Sequence, residues 1–351
     1  MTMNPTLLAL LACPRCEDGR LQSVEPKCAS LRCGACSAEY PVRDGVPELL
    51  DDSGLAGSAT SDLYSDIWDE YHKAPAKGGG YQAAAGSHTE LLEQAAGRPL
   101  VQGLWGLDAG CGNGGNAIDM ARRHSAVNLI GVDLSLGASI GAARSSIPNL
   151  HFVRGNLLAP PLAKGCLDFI YSFGVLHHTP KPERAFHLLV ERLRPGGLIT
   201  VFVYKDFSDI PLKRLALRPV TWLRRHTASM APKTLRSLSR LLAPLVYLML
   251  ALPARLLRAC GAGRFARHIP YGIFSDLDAI ASSLQDRFGA PYEFRFSSED
   301  LDGWAARAQL VDARVVDCLP FGFSGLVISG RRADGNFSAP RQTPSSSSIS
   351  A

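Results

Sequence analysis

Residues 104–114 read Leu-Trp-Gly-Leu-Asp-Ala-Gly-Cys-Gly-Asn-Gly, an apolar run that ends in Asp108 and opens into a glycine loop. Behind the loop, Asn116 to His124 has the composition of a helix. A strand, a tight glycine turn and a helix N-terminus together form a nucleotide-sized binding site. Gly110, Gly112 and Gly114 let a ligand approach the backbone, and the first N–H groups of the helix have no internal partner. The next acidic anchor, Asp133, lies nineteen residues after Gly114 and closes a second apolar run, Val127 to Val132. A carboxylate at that distance is placed to accept hydrogen bonds from a ribose diol.

The glycines alone are ambiguous, because Gly110, Gly112 and Gly115 also satisfy the dinucleotide fingerprint G-x-G-x-x-G. Asp108 argues against that reading, since it would repel a pyrophosphate and tolerate a cationic ligand that carries an amino group. A further apolar strand, Leu167 to Phe173, runs into Gly174-Val-Leu-His-His-Thr179, and Leu193-Arg-Pro-Gly-Gly197 follows. This combination resembles the class I S-adenosylmethionine-dependent methyltransferases, well over residues 100–204 and more loosely over 290–332. The resemblance implies that Asp108, Gly110, Cys111, Gly112 and Gly114 hold the amino-acid end of S-adenosylmethionine. Asp133 and Leu134 would then hold the ribose, and Phe173 would border the methyl group. That family usually has an aspartate where this chain has Asn156. The asparagine keeps a carbonyl acceptor for the adenine amino group, and Leu157 would pack on the purine.

Strands are expected near 104–107, 127–132, 150–154, 167–173 and 198–204, with helices near 115–124, 136–146 and 182–193. Such alternation means a parallel sheet covered on both faces, with ligands at the carboxyl ends of the strands. Pro195-Gly196-Gly197 reads as a turn after a helix. The loop containing His177 and His178 faces the methyl group by position. Either imidazole is a candidate base, since a hydroxyl or carbon-acid acceptor must lose a proton; the alternative is that they hold the loop or contact the cofactor. No Asn-Pro-Pro-Tyr or Asp-Pro-Pro-Tyr follows this strand, which argues against amino-group methyltransferases of adenine and glutamine.

Five of the nine cysteines crowd between Cys13 and Cys36. Cys13-Pro-Arg-Cys16 and Cys33-Gly-Ala-Cys36 are separated by sixteen residues, the spacing of two knuckles that close a four-sulfur zinc site. With no open position, that Zn2+ is expected to be structural, and Cys28 is left over. With Tyr40 to Leu50, the segment resembles the zinc-ribbon family of small methyltransferase-activating proteins. Clustering of this kind belongs to a reducing compartment, and Met1 to Leu11, with no basic region and no small-residue cleavage site, is not expected to be a signal peptide.

Leu63, Ile67 and Tyr71 recur at helical spacing, and Tyr64 and Trp68 stand beside them. The stripe suits either core packing or a lid over the cofactor. Asp51 to Ser61 reads as a linker, Lys77 to Gly80 as a loop, and His88 to Ala96 as a helix. Between Lys205 and Arg267 lie thirteen Lys/Arg and two acidic residues, interleaved with leucines such as Leu212, Leu215, Leu235, Leu238 and Leu241. Three readings compete: a helical cap over a small acceptor, an RNA-phosphate surface, and an interfacial patch for a lipid-linked acceptor. His268, Pro270 and Tyr271 could reach the acceptor, although packing suits them better. The longest uncharged apolar run, Leu241 to Ala254, has 14 residues, short of the ~20 of a spanning helix; no transmembrane segment and a cytoplasmic location are expected.

The expected architecture is therefore α/β, a Rossmann-like seven-stranded mostly parallel sheet with helices on both faces. Its parts are a zinc ribbon (1–52), a linker with leading helices (53–103), the cofactor core (104–204), a helical cap insertion (205–292), closing elements (293–332) and a polar tail (333–351). In the closing part, Ser297 starts a helix around Trp304, and Ala313 to Leu319 and Gly325 to Arg331 form an antiparallel pair. The tail, with its serine run Ser345 to Ser348, is expected to be disordered. The expected activity is methylation of a small-molecule acceptor. The rivals are a ribosomal or transfer RNA base methyltransferase and a non-catalytic partner that binds cofactor. Net charge is only +5, so composition announces no nucleic-acid binder, and nothing sets an oligomeric state.

Overall fold

The computed structural model describes residues 3–16, 19–24, 29–51, 58–73, 88–266, 269, 271–272, 274, 276–319 and 323–334. Cys28, Lys77–Gly80, His268, Pro270, the middle of the linker and the serine tail lie outside them, as do the side chains of Tyr71 and Leu212.

The N-terminal segment is a short helix α1 (Pro5–Leu10) and four strands, β1 (Leu21–Val24), β2 (Ser30–Cys33), β3 (Glu39–Arg43) and β4 (Val46–Leu49). Asp44-Gly45, both at positive φ, make the two-residue turn between β3 and β4, the pairing that twisted hairpins favour. Two helices follow, α2 (Ala59–Lys73) and α3 (His88–Ala96). The central unit alternates β5 (Trp105–Ala109), α4 (Gly115–Arg123), β6 (Asn128–Asp133), α5 (Gly137–Ala143), β7 (Leu150–Gly155), β8 (Leu167–Phe173), α6 (Pro182–Arg192) and β9 (Leu193–Tyr204). The insertion holds α7 (Pro211–Thr227), α8 (Pro232–Val246), α9 (Leu252–Ala259), α10 (Gly263–Ala266) and α11 (Leu277–Gly289). Finally come α12 (Ser298–Arg307), β10 (Leu310–Asp317) and β11 (Gly325–Arg332).

β5 is buried along its whole length, as a strand covered on both faces must be. Leu107 and Ile170 point into one core with Phe186 of α6 and Trp304 of α12. Phe169 and Tyr171 point into the other with Leu92 of α3 and Ala117 of α4. The seven expected strands run in the order β7-β6-β5-β8-β9-β11-β10. Their pairs are parallel from β7 to β9 and antiparallel around β11. The chain steps outward from β5 through β6 to β7 and returns to β8 at the other side of β5, so the switch point lies where β5 ends in the glycine loop. α12 starts with a capping box between Ser297 and Asp300.

Three expectations change. The sheet has more than seven strands: β4 of the ribbon pairs in parallel with β7, Glu48 opposite Arg154 and Leu49 opposite Gly155, which makes one sheet of eleven strands among the described residues. The signal was weak because β4 is short and contains Pro47; only its unpaired edge could recruit a neighbour. Pro195-Gly197 is no free turn but a bulge inside β9, where pairing slips between Leu193 and Leu198. The 14-residue run also understated the insertion's apolar helix. α8 and α9 join through a π-helical turn, Tyr247–Ala251, into a helix of 28 residues, Pro232–Ala259. Pro244 cannot donate to the Arg240 carbonyl, and the wider turn just beyond absorbs the misfit.

Candidate functional site

Asp108 ends the descent of β5 toward the loop, and only 3% of its surface is exposed. Among the described residues its Oδ2 has no hydrogen-bond partner. Burial pushes its pKa up to about 7, with the Tyr171 hydroxyl of the paired strand opposing and the Asp133 charge adding. A buried, unpartnered carboxylate oxygen is an expensive feature unless a cationic or hydrogen-bonding ligand meets it. Gly110 and Gly112 turn the loop at φ of +86° and +53°. A Cβ at Gly110 would strike Val175 at 2.3 Å, and one at Gly112 would strike the Trp68 ring at 2.5 Å. The loop is therefore shaped by glycine on both sides, and α2 lays Trp68 across it.

Asp133 accepts from the Gly112 N–H at 2.8 Å, and from the Ser135 N–H at 2.9 Å and hydroxyl at 2.6 Å. Burial raises its pKa against these donors and Arg154. The two carboxylates thus stand at the ends of adjacent parallel strands, β5 and β6. Cys111 is buried beneath the loop, and the Leu134 carbonyl accepts from Arg154 Nε at 3.2 Å. Beside them opens a cavity of about 490 Å³ bordered by Ser65, Leu136 and Arg154 on the core side and Pro232 and Lys233 of the insertion.

Asn156 follows β7. Its Oδ1 accepts from the Leu158 N–H at 2.9 Å, and its amide donates to Asp51 Oδ1 at 3.0 Å. Leu157 is buried in the core cluster, and Leu158 packs against it. Asp51 was not singled out from the sequence. It comes from the end of the ribbon and reaches this point because β4 extends the sheet beside β7.

Phe173 lies in a stack, 3.9 Å from the His88 ring and 4.4 Å from Phe202. Burial lowers the His88 pKa to about 4, so that ring is neutral near pH 7. The two loop histidines have unlike surroundings. His177 is fully enclosed, its ring tilted against that of Tyr204 with centroids 3.8 Å apart, and finds no partner for either ring nitrogen among the described residues. Burial, with His178, Arg295 and Arg224 nearby, holds its pKa well below the usual range. His178 has Nδ1 2.8 Å from the Tyr292 carbonyl, which makes Nδ1 the donor and leaves Nε2 as acceptor. Nε2 stands 3.9 Å from Asp286, whose same oxygen accepts from Tyr64 at 2.8 Å. Burial and Asp286 push the Tyr64 pKa well up. Glu293 alongside is paired with Arg224 at 2.9 Å and Arg295 at 2.8 Å. Tyr271 of the insertion lies beneath Arg287, whose guanidinium carbon is 5.7 Å from its ring centroid. Tyr64, Asp286 and Tyr292 carry no motif; the fold brings them to His178 across more than a hundred residues.

At the far end of the sheet, the Sγ atoms of Cys13, Cys16, Cys33 and Cys36 lie within 4.8 Å of one another, with two pairs at 3.6 Å. A tetrahedron with Zn–S bonds of ~2.3 Å requires sulfurs about 3.8 Å apart. The Ala35 and Cys36 N–H groups point at Cys33 Sγ, and the Tyr40 hydroxyl is 3.0 Å from Cys13 Sγ. A Cβ at Gly19 would collide with Cys33 Sγ at 2.1 Å. The cluster is thus a preformed four-thiol metal site with its outer hydrogen bonds in place.

A glycine loop between two carboxylates stands at the switch point of the β7-β6-β5-β8-β9-β11-β10 order, within the residues that match a methyltransferase domain. Residues 107–197 match the family described as methyltransferase domain, and residues 4–45 match the Trm112p-like protein family; the chain carries both domains, fused. A trans-aconitate 2-methyltransferase of Deinococcus radiodurans is 33% identical over 106 residues, which are 30% of this chain and 39% of that one. A phthiotriol/phenolphthiotriol dimycocerosates methyltransferase of Mycobacterium ulcerans is 28% identical over 154 residues, 44% of this chain and 52% of that one. The chain spans about half or less of the curated relatives it matches. A solved complex between the Haloferax volcanii Trm112 methyltransferase activator and a candidate methyltransferase superposes with a TM-score of 0.45 at 14% identity, covering 80% of this chain and all of that one.

Proposed function

We propose that the protein is an S-adenosylmethionine-dependent methyltransferase whose acceptor is a small molecule received between the histidine loop and the helical insertion. The observation that carries this reading is Asp108, a buried carboxylate with a free oxygen beside a glycine loop. It would repel a dinucleotide pyrophosphate and suits the amino group of S-adenosylmethionine, for which a charge-assisted hydrogen bond replaces the missing partner. Asp133 would hold the ribose hydroxyls, and Asn156, with Asp51 behind it, the adenine edge. When bound, S-adenosylmethionine supplies an electrophilic methyl on a cationic sulfur.

The protein's part is to orient the acceptor, exclude water and receive a proton. Trp68 covers the loop against solvent. His178 would take the acceptor's proton at Nε2, its tautomer held by Tyr292 and the resulting imidazolium stabilised by Asp286. His177, enclosed and neutral, serves packing of the loop. The names of the relatives, one for trans-aconitate and one for phthiotriol/phenolphthiotriol dimycocerosates, are in keeping with a small-molecule acceptor. The four thiols fit a structural Zn2+ that stiffens the ribbon.

Calorimetry is the direct test. S-adenosylmethionine and its demethylated product should bind, and NAD should not; the reverse result overturns the reading. Methyl-labelled cofactor incubated with separated metabolite, lipid and RNA fractions should then label metabolites or lipids. Label in RNA alone would replace the small-molecule acceptor. Binding without any label would make the chain a non-catalytic partner.

A further inference from the structure

We infer that the long insertion helix, Pro232–Ala259, lies in the interface of an anionic lipid bilayer and docks the enzyme on that surface. Its inward face, Leu235, Ser239, Ala243, Ala251 and Ala254, is buried, and α8 packs on α11. The face turned to water should be polar. Instead Leu241 is 75% exposed, Leu245 54%, Leu248 60%, Met249 64% and Leu256 57%. These positions follow one another at helical spacing, so the helix is apolar on both sides.

Charge specifies the occupant. From Ile210 to Ser275 the chain has twelve Lys/Arg and no Asp or Glu. The apolar stripe is bracketed by Lys233 and Arg240 on one side and Arg255 and Arg258 on the other, all exposed. Leucines that enter the acyl boundary while flanking cations meet anionic headgroups give the two signals that stable interfacial binding needs. An RNA surface would place cations, not leucines, at its centre.

The helix is long and apolar enough to cross a membrane, yet the structure favours an in-plane orientation. Between Arg240 and Arg255 the uncharged stretch is 14 residues, about 21 Å of helix against ~30 Å of hydrocarbon. Spanning would also strip the helix from α11 and break Arg236 and Arg240 away from Glu70. Trp222, 62% exposed on α7 of the same insertion, is a residue type at home at the lipid–water boundary.

The inference stands independently of methyl transfer, and the same preparation is titrated with S-adenosylmethionine so that the two readings fail separately. The full chain is sedimented with vesicles of phosphatidylcholine alone and of phosphatidylcholine with phosphatidylglycerol. It should pellet with the anionic vesicles, be released by salt or carbonate, and favour them over the neutral ones at least tenfold. Leu245→Gln with Met249→Gln, both exposed, should weaken binding about tenfold or more while leaving the melting temperature unchanged. Absence of binding to anionic vesicles overturns the inference. So does carbonate-resistant retention, which would mean a spanning helix. Retention of an RNA duplex that the double variant leaves intact, with no vesicle binding, would assign the surface to RNA.

Discussion

Replacing Asp108 with asparagine separates the cost of this carboxylate from its use. In the ligand-free protein its pKa is raised from 3.8 to about 7, chiefly by burial. The sign follows from linkage. Between pH 3.8 and 7 the unfolded chain has lost this proton and the folded chain still binds it, so stability falls as pH rises through that window and is level above it. A shift of that size, at 1.36 kcal/mol per pH unit, amounts to about 4 kcal/mol. Asp108→Asn keeps the shape and removes the charge. Urea unfolding should therefore give equal stabilities for the two proteins near pH 4 and an advantage for the variant that grows to about 4 kcal/mol by pH 8. Taking the difference between proteins cancels titration of the distant cysteine cluster, which both share. Calorimetry should show the opposite preference: loss of a charge-assisted hydrogen bond, about 1.5–3 kcal/mol, weakens S-adenosylmethionine roughly 10- to 100-fold. In the native protein that affinity should rise with pH until about 7, because the cation binds the ionised form. A variant that loses affinity but gains no stability at pH 8 would refute the burial argument, and one that gains stability but keeps full affinity would refute the ligand assignment.

Two other outcomes are expected. His178→Ala should reduce turnover by roughly 10²-fold or more while cofactor affinity stays within a factor of about two; equal loss of both would make His178 a cofactor contact. Removal of the metal by a strong chelator should lower the melting temperature of the whole chain by roughly 5 °C or more. Leu31, Cys33, Tyr40 and Leu49 share one hydrophobic cluster with Leu107 and Ile130, so a calorimetric scan in which only a small early transition moves would show the ribbon to be energetically separate.

What could be read from the chain was what local chemistry demands. A glycine loop after an apolar strand, a carboxylate at the end of the next, paired Cys-x-x-Cys knuckles and a Ser-x-x-Asp helix start each state their geometry over a few residues. The acceptor side is different. Tyr64 and Asp286 meet His178 only because α2 and the insertion fold back over the strand ends, and no spacing in the sequence encodes an approach across 222 residues. The two histidines are adjacent and chemically identical in the sequence, and both are buried; their partners separate them, Tyr292 and Asp286 facing His178 alone. The long helix was hidden by Pro244 and Pro253, which usually end helices. Here one is absorbed by a π turn, and the other sits in the first turn of α9.

Asn156 is the position where the sequence departs from the expected carboxylate, and Asp51 suggests why the departure is tolerated. The ribbon strand β4 delivers Asp51 within 3.0 Å of the Asn156 amide, so the pair already holds one negative charge. Asn156→Asp would restore the usual residue and set two carboxylates face to face. Loss of the hydrogen bond and their mutual repulsion should cost on the order of 1–3 kcal/mol at pH 7. Asp51→Asn alone leaves two amides, which can still bond, at a smaller cost. Joined, Asp51→Asn and Asn156→Asp rebuild an amide–carboxylate pair with the roles exchanged, and stability should return to within about 0.5 kcal/mol of the native protein. The double-mutant cycle, run by urea unfolding and repeated with S-adenosylmethionine bound, measures the coupling directly. Strict additivity in the free protein would mean that the two side chains are neighbours without being partners. Coupling that appears only with the ligand bound would mean that the ligand brings them together; coupling in both states makes the ribbon part of the cofactor site.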